Sequence, residues 1–477
     1  MASFYVENFG CRATQADGAA IERQFREHGL GRASEPRTAN LIVLNTCAVT
    51  AAAEQDARAA IRRIRRQNPT CEVIVTGCYA QRVPAEVAAL PGVSRVIGNS
   101  HKHNLAQIAL QTKSEKDSCE SGSFIPLSNL CADKTTEESI FVSDIFAHTE
   151  LLAAPVFDSA NERTRPNLKV QDGCNNRCSF CIIPSVRGRS RSLPLDEVLR
   201  EVKQLVEAGY REVVISGINL GRWGRDLASE TGWGERAPRF EDLIMAILDR
   251  TSLEKLRISS VEPMDWSDSL IRLMAESQRI AKHAHVPMQS GSDAVLRRMH
   301  RKYRPWHYRE KIQKIRAAMP NAAIGADVMV GFPGETDAEF EETRRMIEDL
   351  PFTYLHVFTF SARPGTPAAS MPNQVSVRVA RERNRILREL AAEKKRAFMR
   401  SFIGRKVDAI TLNVVAETSD GIWTEALTDN YLKLRLAGRH EPNRWLYTRV
   451  DDAEGGELLG SLETHIDRQD AMLCDHR

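Results

Sequence analysis

The sequence of 477 residues has no run of 18 consecutive apolar residues, which argues against a membrane-spanning helix. The residues after Met1 show neither the basic segment nor the apolar core of a secretory signal. We therefore expect a cytoplasmic protein with no membrane association. Hydrophobic residues make up 42% and charged residues 27%, which is typical of a globular chain and excludes collagen-like or wholly disordered proteins. The length predicts two to four domains, at roughly 100–200 residues each.

Strong charge of either sign is also missing, since the net charge is only +3. The balance is uneven, however, because residues 404–477 carry nine Lys and Arg against fourteen Asp and Glu. An anionic partner would therefore meet the first 403 residues. The ten cysteines of a protein in a reducing compartment are not expected to form disulfides, so their spacing points to metal binding, catalysis or core packing.

Short apolar runs alternate with helical patterns in the first hundred residues. Runs at 4–6, 41–44 and 73–75 enclose amphipathic stretches at 15–28 and 52–66. The pattern predicts a Rossmann-like, doubly wound parallel sheet over residues 1–111. Residues 112–165 show no sustained period and are interpreted as a linker or insertion.

The alternation resumes at Leu168 and continues for six units. The predicted strands are 168–170, 212–215, 255–258, 282–286, 324–330 and 354–360. Six β/α units predict an incomplete barrel, open to a large substrate, with its chemistry at the carboxyl ends of the strands. This region, residues 166–403, ends in a long helix over 376–402. Short strand-like runs over 404–466 predict a small antiparallel β-barrel.

Three cysteines follow the first barrel strand in a C-x3-C-x2-C pattern: Cys174, Cys178 and Cys181. Three thiolates on one loop can hold three corners of an iron–sulfur cube and leave one iron open to a chelating ligand. The alternative is a zinc site completed by a distant His or Cys.

A second trio is dispersed along the chain, because Cys11, Cys47 and Cys78 each follow one strand of the N-terminal sheet. The carboxyl ends of parallel strands meet at one edge, so the fold is expected to bring these thiols together as a second three-cysteine metal site. The remaining cysteines, Cys71, Cys119, Cys131 and Cys474, are interpreted as ordinary thiols.

The C-x3-C-x2-C motif at this place resembles the radical S-adenosylmethionine superfamily. That resemblance implies that S-adenosylmethionine chelates the open iron, and that Phe180 lies near its adenine. Where many members have Gly-Gly-Glu after the second strand, this chain has Ser216-Gly217-Ile218-Asn219, so Asn219 can offer only its amide oxygen to the methionine amino group. Further cofactor contacts implied by the matching motifs are Gly217, Ser260, Gln289 and Asp327. His283 and His285 share one face of a strand and are interpreted either as packed histidines or as cofactor contacts.

Two cysteine trios followed by a small β-barrel resemble the methylthiotransferases across nearly the whole chain. The text from Gln171 to Pro184 and from Arg187 to Ser192 is similar to the branch that modifies threonylcarbamoyladenosine in tRNA. The resemblance implies two 4Fe-4S clusters and S-adenosylmethionine as cofactors, and a methylthio group added to C2 of adenosine 37. It also implies an anticodon loop as substrate, an electron donor such as flavodoxin or ferredoxin, and a sulfur donor.

The terminal barrel resembles the TRAM domain that delivers RNA to modifying enzymes, although here it is acidic. Phosphate or carboxylate contacts are therefore expected from Arg187, Arg189 and Arg191, or else these arginines form a solvated face. Tyr431 and Trp445 are interpreted as base-stacking residues or as core of the barrel.

Three alternatives remain open. The substrate of a methylthiotransferase could instead be isopentenyladenosine 37 of tRNA or an aspartate of a ribosomal protein. From a different class, the chain could be a non-catalytic RNA-binding protein with two structural metal sites. Iron–sulfur absorbance near roughly 400 nm would separate that protein from the enzymes.

Overall fold

A computed structural model describes residues 2–110, 139–148, 151, 154, 165–227, 237–418 and 421–462. Most of the predicted linker, with Cys119 and Cys131, lies outside the described residues, as does Cys474. No described helix combines the length and hydropathy that crossing a membrane requires.

The N-terminal segment forms a parallel sheet with helices on both faces. Its strands run in the order β2-β1-β3-β4-β5-β6, and every neighbouring pair is parallel. Within β3, Ile42 and Leu44 pack in one hydrophobic cluster while Leu41 and Val43 pack in another on the opposite face. The predicted doubly wound sheet is thus confirmed. The elements are β1 (Ser3–Asn8), α1 (Arg12–Glu27), β2 (Gly31–Arg32), β3 (Leu41–Thr46), α2 (Ala51–Gln67), β4 (Glu72–Gly77), α3 (Cys78–Arg82), α4 (Pro84–Ala88), β5 (Arg95–Ile97) and β6 (Ile140–Phe141).

All six predicted barrel strands are present. They are β7 (Asn167–Asp172), β9 (Glu212–Gly217), β10 (Lys255–Ile258), β11 (His283–His285), β12 (Ala323–Val330) and β13 (Tyr354–Thr359), and β8 (Arg191–Ser192) pairs antiparallel with β7. The order is β8-β7-β9-β10 and β11-β12-β13. Isolated bridges from Leu256 to Ile280 and from Ser260 to His285 join the two halves into one arc. Among the described strands β8 and β13 are the edges of this arc, which gives the predicted incomplete barrel.

Helices cover the outer surface of the arc and enclose the largest hydrophobic core of the described chain. They are α5 (Ile183–Arg187), α6 (Leu195–Glu207), α7 (Phe240–Arg250), α8 (Asp268–Glu276), α9 (Asp293–Arg298), α10 (Pro305–Ala318), α11 (Asp337–Asp349) and α12 (Val377–Arg400). The long helix α12 begins after Ser376, whose side chain accepts a hydrogen bond from the Val379 amide as an N-cap.

The C-terminal segment is a small closed barrel with the strand order β14-β15-β16-β18-β17. Its pairs are antiparallel except for β16 and β18, which run parallel. The strands are β14 (Lys406–Thr418), β15 (Gly421–Thr428), β16 (Lys433–Ala437), β17 (Trp445–Glu454) and β18 (Glu457–Leu462). The predicted small barrel is confirmed, with one parallel pair that the sequence pattern does not reveal.

Candidate active site

The loop of the barrel cysteines leaves β7 through a turn at Gly173. This residue has φ +70°, and a Cβ there would lie 1.9 Å from the Arg189 carbonyl oxygen, so only glycine fits. The Cys174 amide donates to the Gly188 carbonyl at 3.1 Å, and the Cys181 amide donates to the Cys178 carbonyl at 3.1 Å. Backbone bonds therefore fix the loop at the carboxyl end of β7.

Hydrogen-bond donors from other elements surround the sulfurs of this loop. The Cys174 Sγ accepts from the Asn219 side-chain amide at 3.6 Å, and the Cys178 Sγ accepts from the Arg301 guanidinium at 3.3 Å. Burial raises the pKa of Cys174, and raises that of Cys181 to about 12. Since burial disfavours bare thiolates, bound iron would supply the positive charge that keeps these groups deprotonated.

The N-terminal sheet brings Cys11, Cys47 and Cys78 to one edge. A Cβ on Gly10 would lie 2.9 Å from the Cys47 Sγ, so the turn before Cys11 rests directly against Cys47. The pKa of Cys47 is raised to about 11, first by burial and then by the neighbouring charges of Cys78 and Cys11. The three thiols are thus electrostatic neighbours, although they come from three different turns.

Neither cysteine trio is spaced for a single metal ion. Among the described residues, three metal-ligand atoms lie within 4.8 Å of one another at His285, Asp327 and His356, and at neither cysteine trio. One tetrahedral zinc ion, with Zn–S bonds of about 2.3 Å, would hold its sulfurs roughly 3.8 Å apart. A four-iron cube separates its thiolate ligands more widely, so both donor sets suit iron–sulfur clusters.

A cavity of about 640 Å³ lies between these elements, and all three segments line it. The barrel contributes its three cysteines and a ring of strand ends, the N-terminal segment contributes Cys11 and Arg12, and the terminal barrel contributes Tyr431. Cys11 and the barrel cysteines therefore open into the same space. Such a shared cavity allows one bound substrate to contact both metal centres.

Every cofactor contact expected from the sequence lines this cavity, namely Phe180, Gly217, Asn219, Ser260, Gln289 and Asp327. The Asn219 amide oxygen is buried without a hydrogen-bond partner, as is the nearby Ser216 hydroxyl. Buried polar atoms without partners are costly, so both are suited to a polar ligand. Gly217 approaches Gln171 so closely that a Cβ would lie 2.9 Å from its side chain. The Gln289 backbone, with φ 64°, is held in a conformation that non-glycine residues rarely adopt.

Asp327 is the ionised carboxylate of the cavity wall. Its Oδ1 lies 3.4 Å from the His285 Nε2 and 3.2 Å from the His356 Nδ1. Burial alone would raise the pKa of Asp327, but the two imidazoles outweigh burial and hold the pKa below its ordinary value. His283 bonds the Tyr354 hydroxyl at 2.6 Å, and burial lowers the pKa of this histidine. His283 is therefore a neutral, hydrogen-bonded residue that also lines the cavity.

Two of the three arginines expected to contact RNA are buried, which corrects that expectation. Arg187 is 2% exposed and Arg191 is 8% exposed. The Arg187 guanidinium donates to Asp17 and Asp172 at 2.9 Å, so it joins α1 to β7 instead of facing solvent. A buried guanidinium that is paired with carboxylates is not accessible to RNA phosphates or to a substrate carboxylate. Arg189 is exposed, and its role in RNA binding stays a prediction.

Several cavity residues were missed at the sequence level. Arg12 follows Cys11, lines the cavity and donates a hydrogen bond to the Tyr431 hydroxyl. Four further residues line the cavity wall, namely Arg257, Arg301, Glu262 and Tyr354. A charged residue between apolar neighbours on a barrel strand, as at Leu256-Arg257-Ile258, is a sequence signal for such a cavity residue, because its side chain points into the barrel. Tyr431 neither fills the barrel core nor stands free, because its ring lies 4.7 Å from that of His283. Trp445 lies beneath the Lys255 ammonium, at 5.1 Å.

Two family models match the chain, and together they cover both cysteine trios. Residues 168–347 match the radical SAM superfamily, and residues 3–98 match the family described as uncharacterized protein family UPF0004. Among solved structures, the radical S-adenosylmethionine methyltransferase TsrM from Kitasatospora setae aligns with a TM-score of 0.54 and 14% identity, covering 77% of this chain and 75% of that chain. This likeness concerns the fold alone, and it is the radical SAM match over residues 168–347 that indicates the class of the barrel.

Comparison with curated relatives identifies the family within the radical SAM enzymes. The chain is 36% identical to the threonylcarbamoyladenosine tRNA methylthiotransferase MtaB of Bacillus subtilis, over 92% of both chains. It is 36% identical to the Rickettsia prowazekii protein of the same name, over 90% of this chain and 92% of that one. The tRNA-2-methylthio-N(6)-dimethylallyladenosine synthase of Methylacidiphilum infernorum is 31% identical over 86% and 84%. The chain belongs to the radical SAM tRNA methylthiotransferase family, and its cofactors are S-adenosylmethionine and two 4Fe-4S clusters.

Proposed function

We propose that the protein adds a methylthio group to C2 of N6-threonylcarbamoyladenosine at position 37 of tRNA. The observation that carries the proposal is the cavity into which Cys11 and the three barrel cysteines all open. The named relatives at 36% identity support the threonylcarbamoyl branch. We further assign residues 1–111, 166–403 and 404–466 to three domains, with 112–165 as a linker or insertion.

The donor sets divide the cofactors between the two trios. Cys174, Cys178 and Cys181 would hold the cluster that binds S-adenosylmethionine, and Cys11, Cys47 and Cys78 would hold the cluster that supplies sulfur. When bound, the cofactors supply a 5′-deoxyadenosyl radical for hydrogen abstraction at C2, and the sulfur and methyl groups that replace the hydrogen.

The chain's own residues bind and orient the reactants. The unpartnered Asn219 amide oxygen can accept from the amino group of S-adenosylmethionine, and the ionised Asp327 carboxylate can accept from ribose hydroxyls. Phe180 packs against the apolar cluster that contains Val295 and Phe332, and so presents a fixed aromatic surface to an adenine ring. These contacts would hold the reactants in fixed positions and exclude water from the radical step.

An anticodon loop is a suitable RNA substrate because its bases are single-stranded or easily unstacked. A splayed adenine could therefore enter the cavity at small energetic cost. We expect the reaction to occur in the cytoplasm, with a flavodoxin- or ferredoxin-type electron donor and a separate sulfur donor.

Comparison of three tRNA preparations tests the proposal. Unmodified, threonylcarbamoylated and isopentenylated tRNA would be incubated with the iron-loaded enzyme, and methylthio nucleosides would be measured by mass spectrometry. We expect the threonylcarbamoylated tRNA to be the best substrate. Equal turnover of all three, or preference for the isopentenylated tRNA, would contradict the substrate assignment without affecting membership of the family.

A further inference from the structure

The cavity contains a cationic region that the proposed reaction does not yet use. Arg12 lines the cavity beside Cys11, and its guanidinium donates to the Tyr431 hydroxyl at 3.0 Å. No carboxylate of the described residues lies within ion-pair distance of Arg12. Most other cationic groups in the cavity are matched, since Arg257 bonds Glu212 at 2.6 Å and Arg301 pairs with Glu262. Among the described residues, Arg12 is therefore a cavity cation whose side chain bonds a neutral hydroxyl, that of Tyr431, and no carboxylate.

The region around Tyr431 has more positive than negative charge. The Arg257 guanidinium lies 5.2 Å and that of Arg165 5.9 Å from the centre of the Tyr431 ring. Together with Arg12 they make three guanidiniums, and Glu212 is the carboxylate that contacts two of them, Arg257 and Arg165. Burial would raise the pKa of Tyr431, yet the three arginines outweigh burial and lower it. A partly buried region with surplus cations is suited to an anionic group of the substrate.

We infer that Arg12, oriented by Tyr431, binds the carboxylate of the threonylcarbamoyl group and selects the substrate by that charge. This inference rests on the proposed function. On adenine, C2 and C6 flank N1, so the base presents C2 and the N6 substituent along the same edge. If C2 faces the N-terminal cysteines, the substituent on N6 points toward the residues that neighbour those cysteines. Arg12 is the residue adjacent to Cys11, and its planar fork matches a carboxylate.

Selection by this charge also explains how the site distinguishes related substrates. An isopentenyl group has no carboxylate, so an enzyme that binds it would leave Arg12 facing an apolar group. Tyr431 is a positioning residue in this scheme, because it holds the guanidinium through its hydroxyl without contacting the carboxylate. Its positive φ of 69° places it in the turn between β15 and β16, from which it reaches the cavity.

The test uses the iron-loaded enzyme and three anticodon stem-loop RNAs that differ only at adenosine 37. One carries threonylcarbamoyl, the second carries the same group with its carboxylate replaced by a carboxamide, and the third is unmodified. Equilibrium affinity is measured by fluorescence anisotropy, and methylthio product by single-turnover mass spectrometry. Iron content is matched among preparations because Arg12 is adjacent to Cys11.

We expect the wild type to bind the carboxylate RNA roughly ten- to hundredfold more tightly than the carboxamide, as a charge-assisted hydrogen bond predicts. Arg12→Gln should abolish that preference while leaving affinity for the carboxamide RNA unchanged. Arg12→Lys should retain a small part of the preference for the carboxylate RNA. Tyr431→Phe, a change farther from the cysteines, should reduce that preference. Arg272→Gln, an exposed arginine on α8, should behave as wild type.

Retention of the full preference by Arg12→Gln would overturn the inference. An equal loss of affinity for all three RNAs would also overturn it, because it would identify Arg12 as a phosphate contact. If the wild type modified the threonylcarbamoylated RNA but bound the carboxylate and carboxamide equally, the inference would fail and the proposed function would stand. If it made no product on that RNA, the proposed function would fail, and the inference with it.

Discussion

The contact between the N-terminal sheet and the barrel depends on a buried ion network centred on Asp17. This carboxylate on α1 is 1% exposed and contacts Lys102 at 3.0 Å, Arg187 at 2.9 Å and Lys169. Lys169 and Arg187 also contact Asp172. Asp17→Asn would remove the carboxylate that Lys102 contacts and leave Lys169 and Arg187 with Asp172 alone. One cysteine trio belongs to the sheet and the other to the barrel, so this contact also fixes their relative position.

The magnitude follows from the burial of the network. Removal of one partner from a buried ion pair costs about 3–5 kcal/mol, because the other charge is left without compensation in a medium of low polarity. Asn keeps the size and an acceptor oxygen, so packing contributes little to the loss. For a cooperative unit of domain size this corresponds to a fall in Tm of roughly 6–20 °C. Glu389→Gln is the matched control, since Glu389 pairs with Arg385 at 2.7 Å and both side chains are more than half exposed. It should cost less than about 1 kcal/mol.

The assay is urea and thermal unfolding of both variants and the wild type, without iron and after iron loading. The pKa values of Asp17 and Asp172 are lowered below their ordinary value of 3.8, although burial opposes the shift, because Arg187 and the lysines stabilise the ionised carboxylates. Groups with lowered pKa contribute stability that is complete above their unfolded pKa and is lost as pH falls through the folded pKa. The difference between wild type and Asp17→Asn should therefore be constant at neutral pH and should shrink below pH 3.8 in the iron-free protein. A variant within about 1 kcal/mol of wild type at neutral pH would refute the reasoning.

Three further predictions concern the cysteine trios and the cofactor. Reconstituted protein should contain about eight irons, and Ala at Cys174, Cys178 and Cys181 should leave about four and abolish formation of 5′-deoxyadenosine. Cys78→Ala should instead block formation of the methylthio product while cleavage of S-adenosylmethionine persists. Cys71 is a buried thiol in the same hydrophobic cluster, so Cys71→Ala is the control and should leave both activities intact. Asn219→Ala should weaken S-adenosylmethionine binding roughly tenfold through loss of the buried acceptor, and Asn219→Asp should retain much of the wild-type affinity. Equal affinity of Asn219→Ala and wild type in a binding titration would disprove the contact between Asn219 and S-adenosylmethionine.

The periodic parts of the fold could be predicted because they depend on local sequence. The run 212–215 became β9 with two additional residues, and 324–330 became β12 with one. Both are apolar strands buried between other elements, where hydrophobicity alone decides the structure. Helix α12 was placed within two residues at its C-terminus because Ser376 and Gly404 mark its limits. Its buried residues are Ala380, Arg383, Leu387, Ala391 and Met399. A helix of 24 residues offers overlapping apolar stripes, and tertiary packing selects among them.

Contacts between segments could not be predicted in the same way. Lys169 lies between Leu168 and Val170 and is fully buried, because its ammonium meets Asp17 from a helix 152 residues earlier. Tyr431 lies two residues before β16, which starts at Lys433, and has φ 69°. Left-handed backbone at a tyrosine is uncommon, so the local sequence gives no reason to expect it. Its stabilising contacts, to Arg12 and His283, come from the two other segments.

Arg12 and Arg187 show why the role of an arginine does not follow from its proximity to a metal motif. Both lie within a few residues of a predicted cluster ligand, and sequence reasoning named Arg187, with Arg189 and Arg191, as a candidate contact for the substrate. Arg187 is instead committed to two buried aspartates, so its removal would leave uncompensated charge in the contact between sheet and barrel. Arg12 is exposed and bonds one neutral hydroxyl, so its charge can be changed at little cost to folding. Arg12 can therefore be replaced to test substrate selection without loss of the fold, whereas replacement of Arg187 would disturb the contact between sheet and barrel.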